Sequence, residues 1–525
     1  MARLAYIFVP LLSLVYVSNA YKILLISPLK GKSHAILAEG LMKPLLKDGH
    51  EITYVCGVPP DKLLPNVTLV ETTYKYVSAA EKDSPFSLAE QLSKTNSIKG
   101  LTVIFALLSN ITYSVMTDSP VQALINDPKQ HFDVVIAEWL YSDIYASFAA
   151  IFDCPLIWLS SCEPHWKILK NIDEATNPAY TTDLFSNNIP PFSFMQRLTE
   201  LGFQIMGHVV DYMYFADTEK EIYEQVVAPA IRKRGRPVPS LEDVKYNASL
   251  VLGNSHISLG VPNRLPDSYK HVGGYHIDKE VKPLPENLKK IIDGSPNGFI
   301  YFSMGSNLKS KTLPDVIKQD LVKMFGKLKQ TVIWKFEEDL PNRPANLHIL
   351  QWAPQQSILA HEKCLLFITH GGLLSTTESI HFGVPIVGIP VFIDQFVNVA
   401  RAVKKGFARK VDLSYSMVDE LHEEINVVLS DPSYRQKAKE LSFIYHDRPV
   451  APSAELAHWV NHVVKTKGAR HLRSPALDVA WYQKTYLDLA LVLLAIALAI
   501  VYSIKFLIRS LCKSTNKPQS SKKRN

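Results

Sequence analysis

The sequence predicts an α/β protein of two facing doubly wound domains, followed by a C-terminal transmembrane helix. Three observations carry this. Short buried-type apolar runs alternate with runs of helical spacing in both halves of the 525 residues, the pattern of parallel sheets covered by helices. In each half a polar or glycine-containing turn directly follows such a run, at 28–33 and again at 370–372, where doubly wound sheets bind ligands. Leu489–Ile508 is a 20-residue apolar run whose single charge is Lys505, long enough to cross a bilayer. A chain of this length has room for at least two cores.

The net charge is +7, yet Lys505, Arg509, Lys513, Lys517, Lys522, Lys523 and Arg524 supply all of it and everything earlier sums to zero. A basic cluster after an apolar run marks the cytoplasmic side of a membrane, so the charge does not point to nucleic acid. Residues 1–20 carry Arg3, an apolar run and Ser18-Asn19-Ala20, the layout of a signal peptide; an uncleaved anchor is the other reading. Trp481, Tyr482 and Tyr486 precede the span as an aromatic belt. Lys522 and Lys523 stand fourth and third from the end, as in dilysine retrieval signals. Asn66, Asn110 and Asn247 head N-x-S/T sequons on the non-cytoplasmic side. Cys56, Cys154, Cys162 and Cys364 are scattered. Buried thiols are one reading and a Cys154–Cys162 disulfide another, and no CxxC pair suggests a metal. Cys512, next to the span, is a free thiol or an acylation site.

Tyr21–Ser27 is read as a strand, 28–33 as a loop, His34–Lys47 as a helix and Glu51–Cys56 as a strand: one β-α-β unit. Gly31-Lys32-Ser33 looks like the end of a phosphate-binding loop, but the first glycine of that motif is missing, Ile26 standing there. His34 serves either as a helix-start residue or as a general base facing the crevice. Phe132–Ala137 is a strand with Glu138 at its carboxyl end and Asp143 a turn later; a carboxylate there would orient His34. Helical runs are expected near 86–94 and 100–116. Residues 165–245 are rich in aromatics, which suits either an apolar pocket or core. The first domain takes 21–261, and the Pro- and Gly-rich 262–285 is the linker.

The second domain, 286–455, starts with the strand Gly298–Phe302 and the small-residue turn Ser303–Ser306. It contains the stretch around which the chain is organised, Trp352–Gln395. Strand 365–369, His370, Gly371, Gly372 and a helix carrying Ser375 and Glu378 form a cradle for an anion, since helix-terminal amides point at negative charge and glycine lets the backbone approach. Glu378 could take ribose hydroxyls, which makes this the chemistry of a nucleotide diphosphate. Residues 456–487 are an amphipathic return and juxtamembrane segment, 488–508 the span, and 509–525 the basic tail.

WAPQ at 352–355, FITHGG at 367–372, STTE at 375–378, FGVPIVGIP at 382–390 and Asp394-Gln395 strongly resemble the signature of UDP-glycosyltransferases. The signal peptide, anchor and dilysine ending resemble the animal endoplasmic-reticulum branch, and LLSTTESIHFGVP resembles arthropod members. The resemblance implies the GT-B fold, two facing Rossmann-like domains, with acceptor bound by the first and UDP-sugar by the second. By position it implies that Trp352 stacks on uracil and Gln355 binds near base or ribose. Ser306, His370, Gly372 and Ser375 would face the diphosphate, with Lys335, where relatives often have arginine, nearby. Glu378 would bind ribose, Asp394 and Gln395 the sugar hydroxyls, and His34 would be the base. Two departures stand out. Leu374 replaces a frequent asparagine, and Glu138 stands where the family has aspartate, leaving Asp143 as the alternative partner.

The resemblance implies an inverting hexosyl transfer to small lipophilic hydroxyl compounds such as phenols, flavonoids or steroids, serving conjugation or detoxification. Glucose is favoured by the arthropod likeness. No D-x-D triplet occurs, so neither metal nor resident cofactor is expected. The protein is expected as a lumenal, glycosylated, single-pass type I protein of the endoplasmic reticulum, alone or oligomeric with itself or related transferases. The competing readings are a membrane-lipid or sterol glycosyltransferase and a non-catalytic binder of hydrophobic ligands.

Overall fold

The computed structural model describes residues 20–74, 87–93 and 98–515. The expected signal peptide up to residue 19 and the tail beyond 515, with the lysine pair Lys522-Lys523, lie outside the described residues.

Successive residues of a strand face opposite sides, so a strand apolar on both faces must be covered twice. That rule builds the first sheet. In β1 (Lys22–Ser27), Leu24 and Ile26 join one buried cluster while Ile23 and Leu25 join another on the opposite face. α1 (Lys32–Lys47) returns the chain to β2 (Glu51–Cys56), which pairs in parallel with both β1 and β3 (Val67–Glu71). α2 (Ile98–Met116) precedes β4 (Val134–Glu138), which pairs with the other edge of β1. β5 (Leu156–Ser160), then the long helix α3 (Phe194–Val210), lead to β6 (Ala248–Gly253) and β7 (Tyr269–His271). The order is β3-β2-β1-β4-β5-β6-β7, so the winding reverses between β1 and β4.

The second sheet comprises β8 (Phe299–Ser303), β9 (Thr331–Lys335), β10 (Leu347–Leu350), β11 (Cys364–Thr369), β12 (Ile386–Gly388) and β13 (Ala408–Lys410), in the order β10-β9-β8-β11-β12-β13. Its reversal falls between β8 and β11, where Ser303 lies opposite Thr369. α4 (Leu373–Phe382) and α5 (Gln395–Lys404) follow β11 and β12. The strand ends at both reversals line one cavity, which is why the site lies there.

Several expectations are corrected. The segment 262–285 is not merely a linker: β7 pairs with β6 and buries Tyr269. Of the two readings of Cys154 and Cys162, the free thiols hold and the disulfide falls. They flank β5, and a strand rising about 3.3 Å per residue holds its ends far beyond disulfide reach. α1 starts at Lys32, putting His34 in its first turn rather than at its start. The second domain ends with the helix Pro432–His446, and α6 (Pro452–Lys465) returns to the first domain, where Leu456, Ala457, Val460 and Val463 complete a cluster with Leu37 and Leu41 of α1.

Residues 474–525 form a separate unit. Its helix α7 (Leu487–Thr515) contains one segment, Leu487–Leu511, of 25 residues, long and apolar enough to cross a membrane, with charges only near its ends at Asp488, Lys505 and Arg509. The expected span 488–508 falls inside it. Of the sequon asparagines, Asn66, Asn110 and Asn247 are all exposed.

Candidate functional site

The cavity between the two sheets measures about 560 Å³. On the first-domain side its chemistry sits at the carboxyl ends of β1 and β4, which pair through Ile26 and Ala137. That pairing sets the loop after β1 beside Glu138. His34 Nδ1 lies 2.5 Å from Glu138 Oε1, and Ser27 Oγ donates to Oε2 at 2.5 Å. Both carboxylate oxygens are thus engaged and the side chain is fully buried. With a carboxylate at Nδ1 the proton sits there, and Nε2 keeps its lone pair. Burial pulls the His34 pKa down, but the charge and hydrogen bond of Glu138, aided by Asp394 of the facing domain, outweigh it and raise it above its ordinary value. A Cβ on Gly31 would stand 2.9 Å from His34 Cδ2, so this glycine keeps the ring's place open.

Asp143 is excluded as the partner. Its Oδ1 accepts from Trp139 Nε1 and Asn171 Nδ2, both at 2.7 Å, in a separate buried network. Glu138 ends a strand beside β1, whereas Asp143 has already turned away towards Glu219, which accepts its backbone N–H.

The second-domain side is built on the ends of β8 and β11. Gly305 and Gly371 both have positive φ, +85° and +79°. A Cβ at Gly305 or Gly372 would approach His370 within 2.5 Å, so the imidazole is sandwiched between two backbones. Burial and the charge of Lys335 push the His370 pKa down to about 4, which leaves a neutral ring beside the N-terminus of α4. Lys335 Nζ donates to the Gly305 carbonyl at 2.7 Å and lies 3.4 Å from Glu337. It braces the turn that presents Ser306 while its charge stays by the cavity. Burial, only partly offset by Glu337, lowers its pKa.

Trp352 is 56% exposed and lines the cavity, a bare indole where most are covered. Lys32 of the first domain stands 5.9 Å from its ring centre and Lys335 5.7 Å. Gln355 Nε2 donates to Glu378 Oε2 at 2.6 Å and to Ser375 Oγ at 3.1 Å. Glu378 also accepts from Gln356 at 3.2 Å and lies 3.4 Å from His276 Nε2. This puts a held carboxylate and a hydroxyl one turn into α4. Asp394 is half-buried, accepts from Asn398 at 2.8 Å, and has its pKa raised chiefly by desolvation. Gln395 gives its carbonyl oxygen to the backbone N–H groups of Val391 and Phe392, so only its NH2 remains for a ligand. Every donor-side residue expected from the sequence lines this one cavity.

Other lining residues were not anticipated. Asn307 stands across from Gly31. His276 is buried with neither ring nitrogen hydrogen-bonded. The apolar side is made by Leu107, Leu108 and Ile111 of α2, with Leu29 and Phe392. The aromatic stretch 165–245 does not line this cavity: Trp166, Phe185 and Phe203 surround a smaller one of about 80 Å³. Composition marked the stretch as apolar, but not which cavity it encloses. Leu374 lines the main cavity and also packs against the first domain's core, so the position that lacks a polar contact joins the domains instead. Among the described residues no group of three or more His, Cys, Asp or Glu is placed to hold a metal ion.

The profile described as UDP-glucoronosyl and UDP-glucosyl transferase matches residues 22–523. UDP-glucosyltransferase 2 of Dactylopius coccus is 32% identical, with 92% of this chain and 91% of that protein covered. Human UDP-glucuronosyltransferase 2B10 is 27% identical, with 87% of each covered. Among solved structures, a UDP-glucosyltransferase from Polygonum tinctorium capable of glucosylating indoxyl superposes with a TM-score of 0.55 at 15% identity, over 85% of this chain and 99% of that one. The calicheamicin glycosyltransferase CalG4 superposes at 0.54 and 16% identity, over 85% and 99%. At such identities the likeness concerns the fold, which is GT-B.

Proposed function

The chain belongs to the family of UDP-glucuronosyl and UDP-glucosyl transferases, and on that premise we propose that it transfers glucose with inversion to a hydroxyl of a small lipophilic acceptor. The observation that carries the reading is the His34–Glu138 pair on one wall of the cavity, opposite Asp394 on the other.

His34 Nε2 takes the proton of the acceptor hydroxyl. The oxygen attacks the anomeric carbon and forms the new C–O bond. The bond to the β-phosphate oxygen breaks on the opposite face, and UDP leaves with the electron pair. An α-linked donor thus yields a β-glycoside. The imidazolium formed on His34 is stabilised by Glu138. Negative charge growing on the diphosphate is met by the amides that open α4, the loop at Ser306, and the neutral His370 acting through an N–H. Such a cradle needs neither a metal nor a resident cofactor. Trp352 stacks on the base, Gln355 and Glu378 bind the ribose side, and Asp394 and the Gln395 NH2 hold sugar hydroxyls. Leu107, Leu108 and Ile111 receive the acceptor's apolar body, which fits phenols, flavonoids and steroids and a role in conjugation.

Glucose is preferred over glucuronic acid because the Dactylopius relative carries that activity in its name. The apolar span and the terminal lysines support residence in the endoplasmic-reticulum membrane, with the catalytic domains lumenal. The test incubates membranes containing the full chain with UDP-glucose or UDP-glucuronate against a panel of phenols, flavonoids and steroids, reading product masses. A mass gain of one hexose with UDP-glucose is expected. A product with UDP-glucuronate alone would overturn the donor assignment, and no product with either would overturn the catalytic reading.

A further inference from the structure

The carboxylate of Glu378 is met by its own domain and also by the segment 273–278, where the chain leaves β7 for the second domain. That segment is seated on α1. Tyr275 is buried in one cluster with Leu37 and Leu41 of that helix, and a Cβ on Gly40 would stand 2.6 Å from His276 Cα. Its start is tied to the end of the second domain, because the Gly273 carbonyl accepts from Arg448 Nη1 at 3.1 Å and from Tyr445 Oη at 3.4 Å.

Two contacts from this segment converge on Glu378. The first runs through Gln356. Its Oε1 accepts from the Asp278 backbone N–H at 3.2 Å, and its Nε2 donates to the His276 carbonyl at 3.5 Å and to Glu378 Oε1 at 3.2 Å. These partners fix which way the amide points, with its NH2 towards the carboxylate. The second is the His276 ring. The side chain is fully buried and lines the cavity, and Nε2 stands 3.4 Å from Glu378 Oε1. Neither ring nitrogen has a hydrogen-bond partner. A buried polar side chain in that state costs stability that an apolar ring of similar size would not, and calls for a role. The gap to Oε1 is just longer than a good hydrogen bond, and contacts of this kind tighten when the ligand arrives.

We propose that His276 is a positioning residue for the donor: its Nε2–H donates to Glu378 Oε1 and holds the carboxylate aimed at a ribose hydroxyl. Gln355 takes Oε2 at 2.6 Å, while Gln356 and His276 take Oε1. Of the carboxylate's roughly four acceptor sites, one is then left for the ribose. The segment between the domains thereby completes the donor site. This rests on Glu378 being the ribose ligand.

The test measures UDP and 2′-deoxy-UDP binding by calorimetry on the solubilised full chain. His276→Phe keeps the ring's volume and removes the N–H. Its preference for UDP over 2′-deoxy-UDP is expected to fall by about fivefold to tenfold, the loss of one hydrogen bond to a charged group. KM for UDP-glucose is expected to rise in step, with a much smaller change in kcat. His276→Gln, which still offers an N–H, is expected to keep at least half of the preference. Equal weakening of both ligands by His276→Phe would mark a structural effect and overturn the proposal, as would an unchanged preference or a His276→Gln protein as poor as His276→Phe. Glu378→Gln separates the two readings. If it lowers the preference and His276→Phe does not, the role of His276 alone fails; if neither lowers it, the assignment of Glu378 to the ribose fails as well. Should His276→Phe not fold, hydrogen exchange of the wild-type peptide 272–278 decides. Exchange at least fivefold slower with saturating UDP than with saturating 2′-deoxy-UDP is expected, and equal exchange with the two would overturn the proposal.

Discussion

Glu138→Gln isolates the carboxylate charge behind His34 with almost no change in volume. In the folded protein that charge faces Nδ1 at 2.5 Å and is itself anchored by Ser27. A hydrogen bond to a charged group contributes about 1.5–3 kcal/mol, and the loss bears mostly on the transition state, where His34 becomes positive. At the upper end this corresponds to a fall in kcat of about 100-fold. The pH profile gives an independent sign. His34 must be neutral to accept a proton, so wild-type activity is lost as pH falls through a pKa that Glu138 holds up. Without that charge the remaining effect of burial is to lower the pKa, and the acid limb is expected to move to lower pH while the plateau drops. UDP affinity is expected to stay within about twofold, since Glu138 lies away from the donor side. The assay is initial rate of UDP release from pH 5 to 9 at saturating donor, with UDP binding by calorimetry. Wild-type kcat with an unmoved acid limb would refute the dyad. Glu138→Asp, shorter by about 1.5 Å, is expected to recover part of the rate only if the backbone yields.

Trp352→Ala removes the exposed indole platform and is expected to weaken UDP binding by about 1–3 kcal/mol, with kcat at saturating donor less affected; calorimetry with UDP checks it. Glu378→Gln is expected to reduce the preference for UDP over 2′-deoxy-UDP by about tenfold, roughly one charge-assisted hydrogen bond; comparing the two dissociation constants decides. Glu163 is buried and its pKa is pushed up to about 7 by burial, against the opposing charges of Arg401 and Lys405. Its contribution to stability is fully present below its unfolded pKa and is lost as pH rises through about 7, a loss of roughly 3 kcal/mol at full deprotonation. Glu163→Gln is therefore expected to flatten the decline of melting temperature between pH 5 and 8, and an unchanged decline would exclude Glu163 as its source.

How much of this was legible depended on whether the signal was local. YKILLIS and FDVVIA read as buried strands because both faces are apolar, and their carboxyl ends locate His34 and Glu138 without further information. The same holds for FITHGG, where a strand runs into Gly371, held at positive φ, and Gly372, which stands against His370. The choice between Glu138 and Asp143 was not local: it depends on β4 lying beside β1, a pairing of residues some 110 positions apart. β7 was hidden because three residues between Pro266 and Gly273 give no periodicity to read. Which residues make the apolar side of the cavity was hidden for a related reason. Residues 100–116 announce a helix, but which of its faces meets the cavity is set by the packing of the whole domain. The choice between free thiols and a Cys154–Cys162 disulfide, by contrast, could have been made from the extended length of PLIWLS.

The central claim is that His34 removes the acceptor proton in a site whose donor half is independent of it. The most direct measurement is the transfer rate of His34→Ala from UDP-glucose to a phenol accepted by the wild type, under conditions where calorimetry shows equal UDP affinity for both. The account expects kcat lower by about 10²–10⁴-fold with UDP binding retained, the range set by loss of a positioned base. A folded His34→Ala protein that binds UDP and transfers glucose at the wild-type rate would contradict it.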